Sequence, residues 1–309
     1  MSAATQPLSL SRTGPLGRLL DYAELVKLRV TSLVMMTAWC GFYLAAARGG
    51  VTSLSWTLLH AVLGIGLVAG GTAALNQVVE RETDGLMRRT NRRPLPARRM
   101  GALHAATFGV LTAVGGIAYL AWAANPLTAL LALATAGAYL GVYTPLKKVS
   151  PICTFLGAFP GAMPGVLGWT AAGGKLGWEA LALFAIVFCW QFPHFFSIAW
   201  LYREDYEEAR IRMLPVVEPD GRSTARAVVL YSLALIPVSL APVYLGMAGR
   251  IYFAGALLLG AAFLWAGVRL AALRLPATSP QSKPRARQLL QASVIYLPLL
   301  FALMMLNAA

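Results

Sequence analysis

The chain has 309 residues, 58% of them hydrophobic and 12% charged. Soluble domains carry about 25% charged and 45–50% apolar residues, so soluble, disulfide-stapled and disordered classes are excluded and the composition is that of a polytopic membrane protein. The net charge of +14, from 26 Lys and Arg against 12 Asp and Glu, would suggest nucleic acid in a soluble protein; in a membrane protein its placement along the chain decides.

Residues 1–29 are polar and basic with no apolar stretch, which predicts a cytoplasmic N-terminal segment and makes the first span itself the insertion signal. A bilayer-crossing helix needs about 20 apolar residues. Nine such spans are predicted, at 30–47, 56–79, 102–122, 126–144, 152–172, 179–201, 227–247, 251–268 and 289–307; the long uncharged stretch through 100–146 is divided at Asn125-Pro126. Only Arg48, Lys175 and Arg250 fall in loops on one side, and 23 of the 26 basic residues lie on the other. This is the positive-inside pattern, with the N-terminus cytoplasmic and, after nine spans, the C-terminus opposite. Topology accounts for the charge, and no nucleic-acid partner is expected.

Acids tell a different story, because Asp and Glu contribute little to orientation. Nine of the 12 lie in 80–84 and 204–220, in two loops on the cytoplasmic side. At the end of span two, Asn76, Glu80 and Asp84 are spaced i, i+4, i+8 and share one helix face. An amide and two carboxylates at a membrane edge suit Mg²⁺, which takes oxygen ligands together with substrate phosphates. Arg88, Arg89, Arg92 and Arg93 follow, and guanidinium forks match phosphate oxygens. The set is that expected for a diphosphate at the membrane surface; a salt-bridged, solvated helix end is the plainer reading of the same spacing.

Span four ends in Tyr143-Thr144-Pro145-Leu146-Lys147-Lys148, where Tyr143 and Lys147 could present an ammonium to a phosphate or mark topology alone. Span five carries Gly157, Pro160, Gly161, Pro164 and Gly165, small residues that let helices approach closely. Span six holds Gln191, His194 and Ser197 as a polar stripe toward the bundle interior or a cavity, with His194 either a hydrogen-bonded core residue or a contact to a cofactor iron. It ends in Tyr202, Arg203, Glu204, Asp205 and Tyr206, readable as a solvated acidic run or as the second half of a site. Phe192, Phe195, Phe196, Trp200 and Tyr143 supply aromatic faces nearby. Cys40, Cys153 and Cys189 sit in or beside spans without metal-ligand spacing and read as small apolar residues. His60 and His104 lie near span ends and receive no role.

Taken together, Asn76-x-x-x-Glu80-x-x-x-Asp84 with Arg89-Thr90-x-x-Arg93-Pro94-Leu95 resembles the first polar motif of the UbiA-type intramembrane prenyltransferases. Glu80 at its middle position, Tyr143-Thr-Pro-Leu-Lys147, and Gln191-Phe-Pro-His194 leading to Arg203-Glu-Asp205-Tyr206 resemble the haem-farnesylating branch of that superfamily. The resemblance runs from about residue 25 to 305.

It implies an all-α fold, nine transmembrane helices around a central cavity, as one domain over 30–307 with catalytic loops 80–101 and 202–226. It implies transfer of a farnesyl group from farnesyl diphosphate to a vinyl of haem b with water addition, giving haem O. By this resemblance Asn76, Glu80 and Asp84 hold Mg²⁺ on the diphosphate, ringed by Arg89, Arg93 and Lys147. Asp205 with Tyr202, Arg203 and Tyr206 forms a second motif, in which Tyr202 and Tyr206 stand where many relatives carry Asp, and His194, with Gln191, lies on the haem side. It also implies a bacterial-type inner membrane and, as partners, haem A synthase or a terminal-oxidase assembly. The nearest rival is the same chemistry on a quinone precursor or other aromatic acceptor. A transporter would carry ionisable groups near mid-membrane, where this chain has almost none, and an assembly scaffold would not depend on Asp84.

Overall fold

Pro15 opens the first helix at the position where a missing backbone N–H is harmless. The structure, a computed structural model, describes residues 14–49 and 55–308. That first helix, α1 (Pro15–Leu25), buries Gly17, Asp21 and Leu25 along one face. Gln77 donates to the carbonyls of Glu24 and Leu25, 2.8 Å each, and so caps the helix end. Arg99 clasps Asp21 through Nε at 3.0 Å.

The chain then turns at Lys27, whose φ of 50° is left-handed, and enters α2 (Leu28–Gly49). Helix α3 (Trp56–Leu86) has 31 residues. At 1.5 Å per residue it is about 46 Å long, well beyond a hydrocarbon core of about 30 Å, so its last turns stand clear of the apolar zone. Helix α4 (Ala102–Ala123) lies along α3, with Gly109 and Ala113 against Gly71.

Asn125 caps α5 (Pro126–Ala138) by accepting from Thr128 N–H at 2.8 Å. Pro145 has no N–H to continue the ladder, and the helix widens beforehand into a π turn, Tyr139–Tyr143, before the short α6 (Thr144–Leu146). Such turns recur at functional sites. Next come α7 (Cys153–Ala171), α8 (Trp178–Leu201), α9 (Arg203–Glu208) and α10 (Leu214–Val217). The bundle closes with α11 (Arg222–Tyr244), α12 (Arg250–Ala271), a 3₁₀ turn at Pro280–Ser282 and α13 (Lys283–Leu306).

Among the described residues, eight helices are long and apolar enough to cross a membrane. The sequence-based count was nine. The difference is α7, a 19-residue helix whose glycines and prolines dilute its hydropathy and whose surface is mostly buried rather than turned to lipid. It is the close-packed strut of the bundle. A Cβ on Gly168 would collide with the Ala38 carbonyl of α2, and one on Gly41 of α2 with the Gly165 carbonyl of α7. Backbone meets backbone here because no side chain intervenes.

All charged loops of α3–α4, α8–α11 and α12–α13 gather at one end. Trp200 anchors it: its indole is 2% exposed, donates to Ser282 Oγ at 2.8 Å, and lies under Gly221, whose φ of 72° and lack of Cβ the ring requires. Among the described residues, the non-glycine residues with positive φ are Lys27, Arg98, Arg210 and Arg274, every one basic and every one at this end.

Candidate active site

Asn76 sits on the buried face of α3 with no exposure at all. Its amide is tied at both atoms: Oδ1 accepts from Lys27 Nζ at 2.6 Å and Nδ2 donates to Thr144 Oγ1 at 3.1 Å. Thr144 is placed for this by the π turn, since its own hydroxyl donates back to the Tyr139 carbonyl at 2.9 Å. One turn on, Glu80 accepts from Lys147 Nζ at 2.8 Å. The same ammonium lies 4.4 Å from the centre of the Tyr143 ring. Another turn on, buried Asp84 pairs with Arg93 at 2.7 Å. Its carbonyl accepts from the Thr90 hydroxyl, which folds the arginine loop back over the helix end.

The second acidic segment meets the first through Arg89. The Arg89 backbone N–H donates to Asp205 Oδ2 at 3.3 Å, and its guanidinium donates to the Tyr206 hydroxyl at 3.3 Å. That guanidinium also lies over the rings of Tyr202 and Tyr206, at 5.3 and 5.9 Å. The tyrosines at the positions of the second motif thus act as a cradle for an arginine rather than as further anionic ligands. The Arg212 N–H, donating to the Lys147 carbonyl at 2.9 Å, fastens the loop after α9 to the end of α6.

Asn76, Glu80, Asp84, Arg89, Arg93, Tyr143, Lys147, Tyr202, Asp205 and Tyr206 therefore form one connected polar surface at the charged end. Three sequence-predicted residues lie elsewhere. Arg203 is buried with its guanidinium on the Pro215 carbonyl and the Glu207 carboxylate, holding α9 to α10. Gln191 donates to the carbonyls of Ala158 and Val187. His194 pairs through Nδ1 with Ser293 Oγ at 2.8 Å. The expected polar stripe of α8 is thus three separate ties, with Ser197 bonded to the His194 carbonyl. The aromatic set divides in the same way: Trp200 packs the loops, and Phe192 stacks on Tyr231 with centroids 3.7 Å apart.

Lys27 is the residue sequence reading missed. It looked like one more orienting charge of the N-terminal segment. Its left-handed backbone costs about 1–2 kcal/mol and turns the side chain in to Asn76. Burial pushes its ammonium pKa down from the ordinary lysine value, with the nearby Arg93 and Lys147 charges adding to that and Tyr139 and Glu80 opposing it. At Lys147 burial also disfavours the charge, but Tyr143 and Glu80 outweigh it and hold the ammonium well above the ordinary value.

The chemistry open to this surface follows from its donors. It has hard oxygen groups (Asn76, Glu80, Asp84, Asp205) interleaved with Lys27, Lys147, Arg89 and Arg93. Among the described residues no three of His, Cys, Asp and Glu converge on one point. A divalent cation here would therefore complete its shell with substrate oxygens, the habit of Mg²⁺ at phosphates. The donor set fits that ion and an anion together.

Residues 33–305 match the model of the UbiA prenyltransferase family. The protoheme IX farnesyltransferase of Koribacter versatilis (strain Ellin345) is 59% identical over 307 residues, 99% of each chain. A solved structure of a digeranylgeranylglyceryl phosphate synthase in membranes is similar at TM-score 0.74 and 17% identity, covering 94% of this chain and 98% of that one. A UbiA homologue from Archaeoglobus fulgidus bound to GPP and Mg²⁺ is similar at TM-score 0.56 and 20% identity, covering 92% and 99%. By the family match over nearly the whole bundle and the identity to a full-length relative, the chain belongs to the UbiA prenyltransferase family.

Proposed function

We propose that this protein transfers the farnesyl group of farnesyl diphosphate to a vinyl group of haem b, with addition of water, giving haem O and diphosphate. The observation that carries the reading is the connected surface of oxygen donors and cations around Asn76, Glu80 and Asp84, in a chain 59% identical to a protoheme IX farnesyltransferase.

Lys27, Arg89, Arg93 and Lys147 bind the diphosphate, their positive charge set before the substrate arrives and aimed at the leaving group. Asn76, Glu80 and Asp84 would hold Mg²⁺, and Asp205 accepts from the Arg89 backbone N–H. When bound, Mg²⁺ neutralises charge building on the departing diphosphate, as a Lewis acid. As the anion enters, Lys147 and Arg93 shift from carboxylate toward phosphate oxygens. The C1–O bond of the farnesyl chain breaks, and the terminal vinyl carbon of haem b supplies the electron pair for the new C–C bond. The cation left on the vinyl carbon next to the ring is trapped by water, which loses a proton and leaves a hydroxyl. Tyr143 presents a π face near the cationic carbon. His194 lies deeper on α8, about 10 Å along the axis from the helix end at 1.5 Å per residue, on the side where the haem sits.

The positive end faces the cytoplasm of a bacterial-type inner membrane, in line with the positive-inside rule. A haem A synthase or terminal-oxidase assembly receives the product. The test is extraction and mass analysis of haem from membranes with and without the protein. A haem heavier by a farnesyl group plus water is the expected product. Farnesyl diphosphate consumption with no new haem would move the acceptor to a quinone-type ring, and neither change in an active, Mg²⁺-supplied preparation would end the prenyltransfer assignment.

A further inference from the structure

Ser293, on α13, makes three contacts that converge on His194. Its hydroxyl lies 2.6 Å from the Leu290 carbonyl, one turn back. The same oxygen lies 2.8 Å from His194 Nδ1. Its backbone carbonyl accepts from Trp190 Nε1 at 2.8 Å, and the Trp190 indole stacks on the imidazole, centroids 4.7 Å apart and planes 18° from parallel.

A serine hydroxyl has a single proton. At 2.6 Å from a carbonyl oxygen, which can only accept, that proton must lie on the line to Leu290. The hydroxyl oxygen is then left as an acceptor toward His194, and Nδ1 must carry the ring hydrogen. The neutral imidazole is thereby fixed as the Nδ1–H tautomer, with an unprotonated lone pair on Nε2. That nitrogen has no hydrogen-bond partner among the described residues. Stacking by Trp190, tied to the same residue, holds the ring plane as well. An imidazole whose one nitrogen donates to an oxygen while the other is bare is the usual arrangement of a metal-binding histidine, and the outer partner governs ring orientation and ligand basicity.

We propose that Ser293 and Trp190 are positioning residues that clamp His194 so that Nε2 is presented to the iron of the haem substrate. The proposal rests on the haem reading given above. It makes the recognised ligand an iron porphyrin with an open axial position, met on the side of the imidazole turned away from Ser293. Both act through His194.

The experiment is a titration of the intact protein, in detergent micelles, with ferric haem b, followed by Soret absorption and electron paramagnetic resonance. Farnesyl diphosphate affinity and haem O formation are measured on the same preparations. The wild type is expected to show a nitrogen-ligated iron signature that His194→Ala loses and added imidazole restores. Ser293→Ala is expected to weaken haem affinity by about 10- to 100-fold, the range for losing an outer partner of a metal ligand, with an altered iron spectrum and unchanged farnesyl diphosphate affinity. Ser293→Thr, which keeps the hydroxyl, is expected to restore both. Haem affinity and spectrum unchanged in Ser293→Ala, while His194→Ala loses its signature, overturns the clamp and leaves the haem reading standing. A wild-type spectrum unaffected by His194→Ala overturns the ligand role of Nε2, and haem O formation then reports separately on the reaction. Failure of the wild type both to bind haem and to form haem O overturns the reading on which the proposal rests.

Discussion

Lys27 Nζ lies 2.6 Å from Asn76 Oδ1, joining a residue before the first membrane helix to the buried amide that begins the acidic face of α3. The contact makes the N-terminal helix part of the site: α1 is held by Gln77 and Arg99, and the turn that follows delivers Lys27.

Lys27→Met is expected to lower kcat/KM by about 10²- to 10³-fold, the range for removing one preorganised charge-stabilising donor. Lys27→Arg is expected to recover most of the loss, since a cation is restored. Steady-state rates on purified, correctly inserted protein decide it; wild-type activity in Lys27→Met would remove the residue from the site.

Glu80→Gln and Asp84→Asn keep shape and lose charge. Each is expected to abolish measurable turnover while the protein remains inserted and folded, and chelation of Mg²⁺ is expected to stop the wild type reversibly. Full activity in either variant would sink the metal assignment.

Arg89 links both acidic segments, whereas Tyr206 contributes one hydroxyl to it. A hydrogen bond to a charged group contributes about 1.5–3 kcal/mol, and this one is long at 3.3 Å, so Tyr206→Phe is expected to lower kcat/KM by about tenfold. Arg89→Ala, which removes the cation and its cradle contacts together, is expected to cost more and to raise KM for the diphosphate. Equal effects from the two variants would mean that Arg89 only orders the loop.

Packing offers a paired test. Gly168→Ala drives a methyl into the Ala38 carbonyl, where only backbone could yield, while the Cβ of Gly137→Ala meets nothing within 4 Å. Thermal unfolding in detergent is expected to fall clearly for the first and to hold or rise slightly for the second, since Gly in a helix interior costs about 0.5–1 kcal/mol relative to Ala.

Helix positions were legible in the sequence because the solvent changes from lipid to water at their ends, and the charges mark that change. The shared face of Asn76, Glu80 and Asp84 was legible because a helix repeats every 3.6 residues, and a polar amide in an apolar run needs partners, here Lys27 and Thr144. Lys27 was hidden by its neighbours: in a basic segment each charge has a sufficient explanation in topology. The partners of Gln191 and Arg203 were hidden for the opposite reason. Their residue types suit a ligand, but which way an amide or guanidinium points depends on the carbonyls of another helix, Ala158 and Pro215, which lie far along the chain or across a loop. Of the nine expected spans, α7 is the one that length and hydropathy do not single out among the described residues, because its glycines and prolines pack against its own neighbours. Ser293 was invisible, being one small residue in an apolar span until α8 is laid beside it.

The left-handed residues at the charged end carry a further consequence. Lys27, Arg98, Arg210 and Arg274 occupy backbone positions where glycine is relaxed and any other residue is strained by about 1–2 kcal/mol. They are also charges that keep this end from being translocated during insertion. Biogenesis and conformational ease therefore ask for different residues at the same positions. Glycine at Arg98, Arg210 or Arg274 should yield a bundle that is harder to melt once formed but inverted more often during synthesis, and a thermal melt and an orientation reporter on the same variant should move in opposite directions.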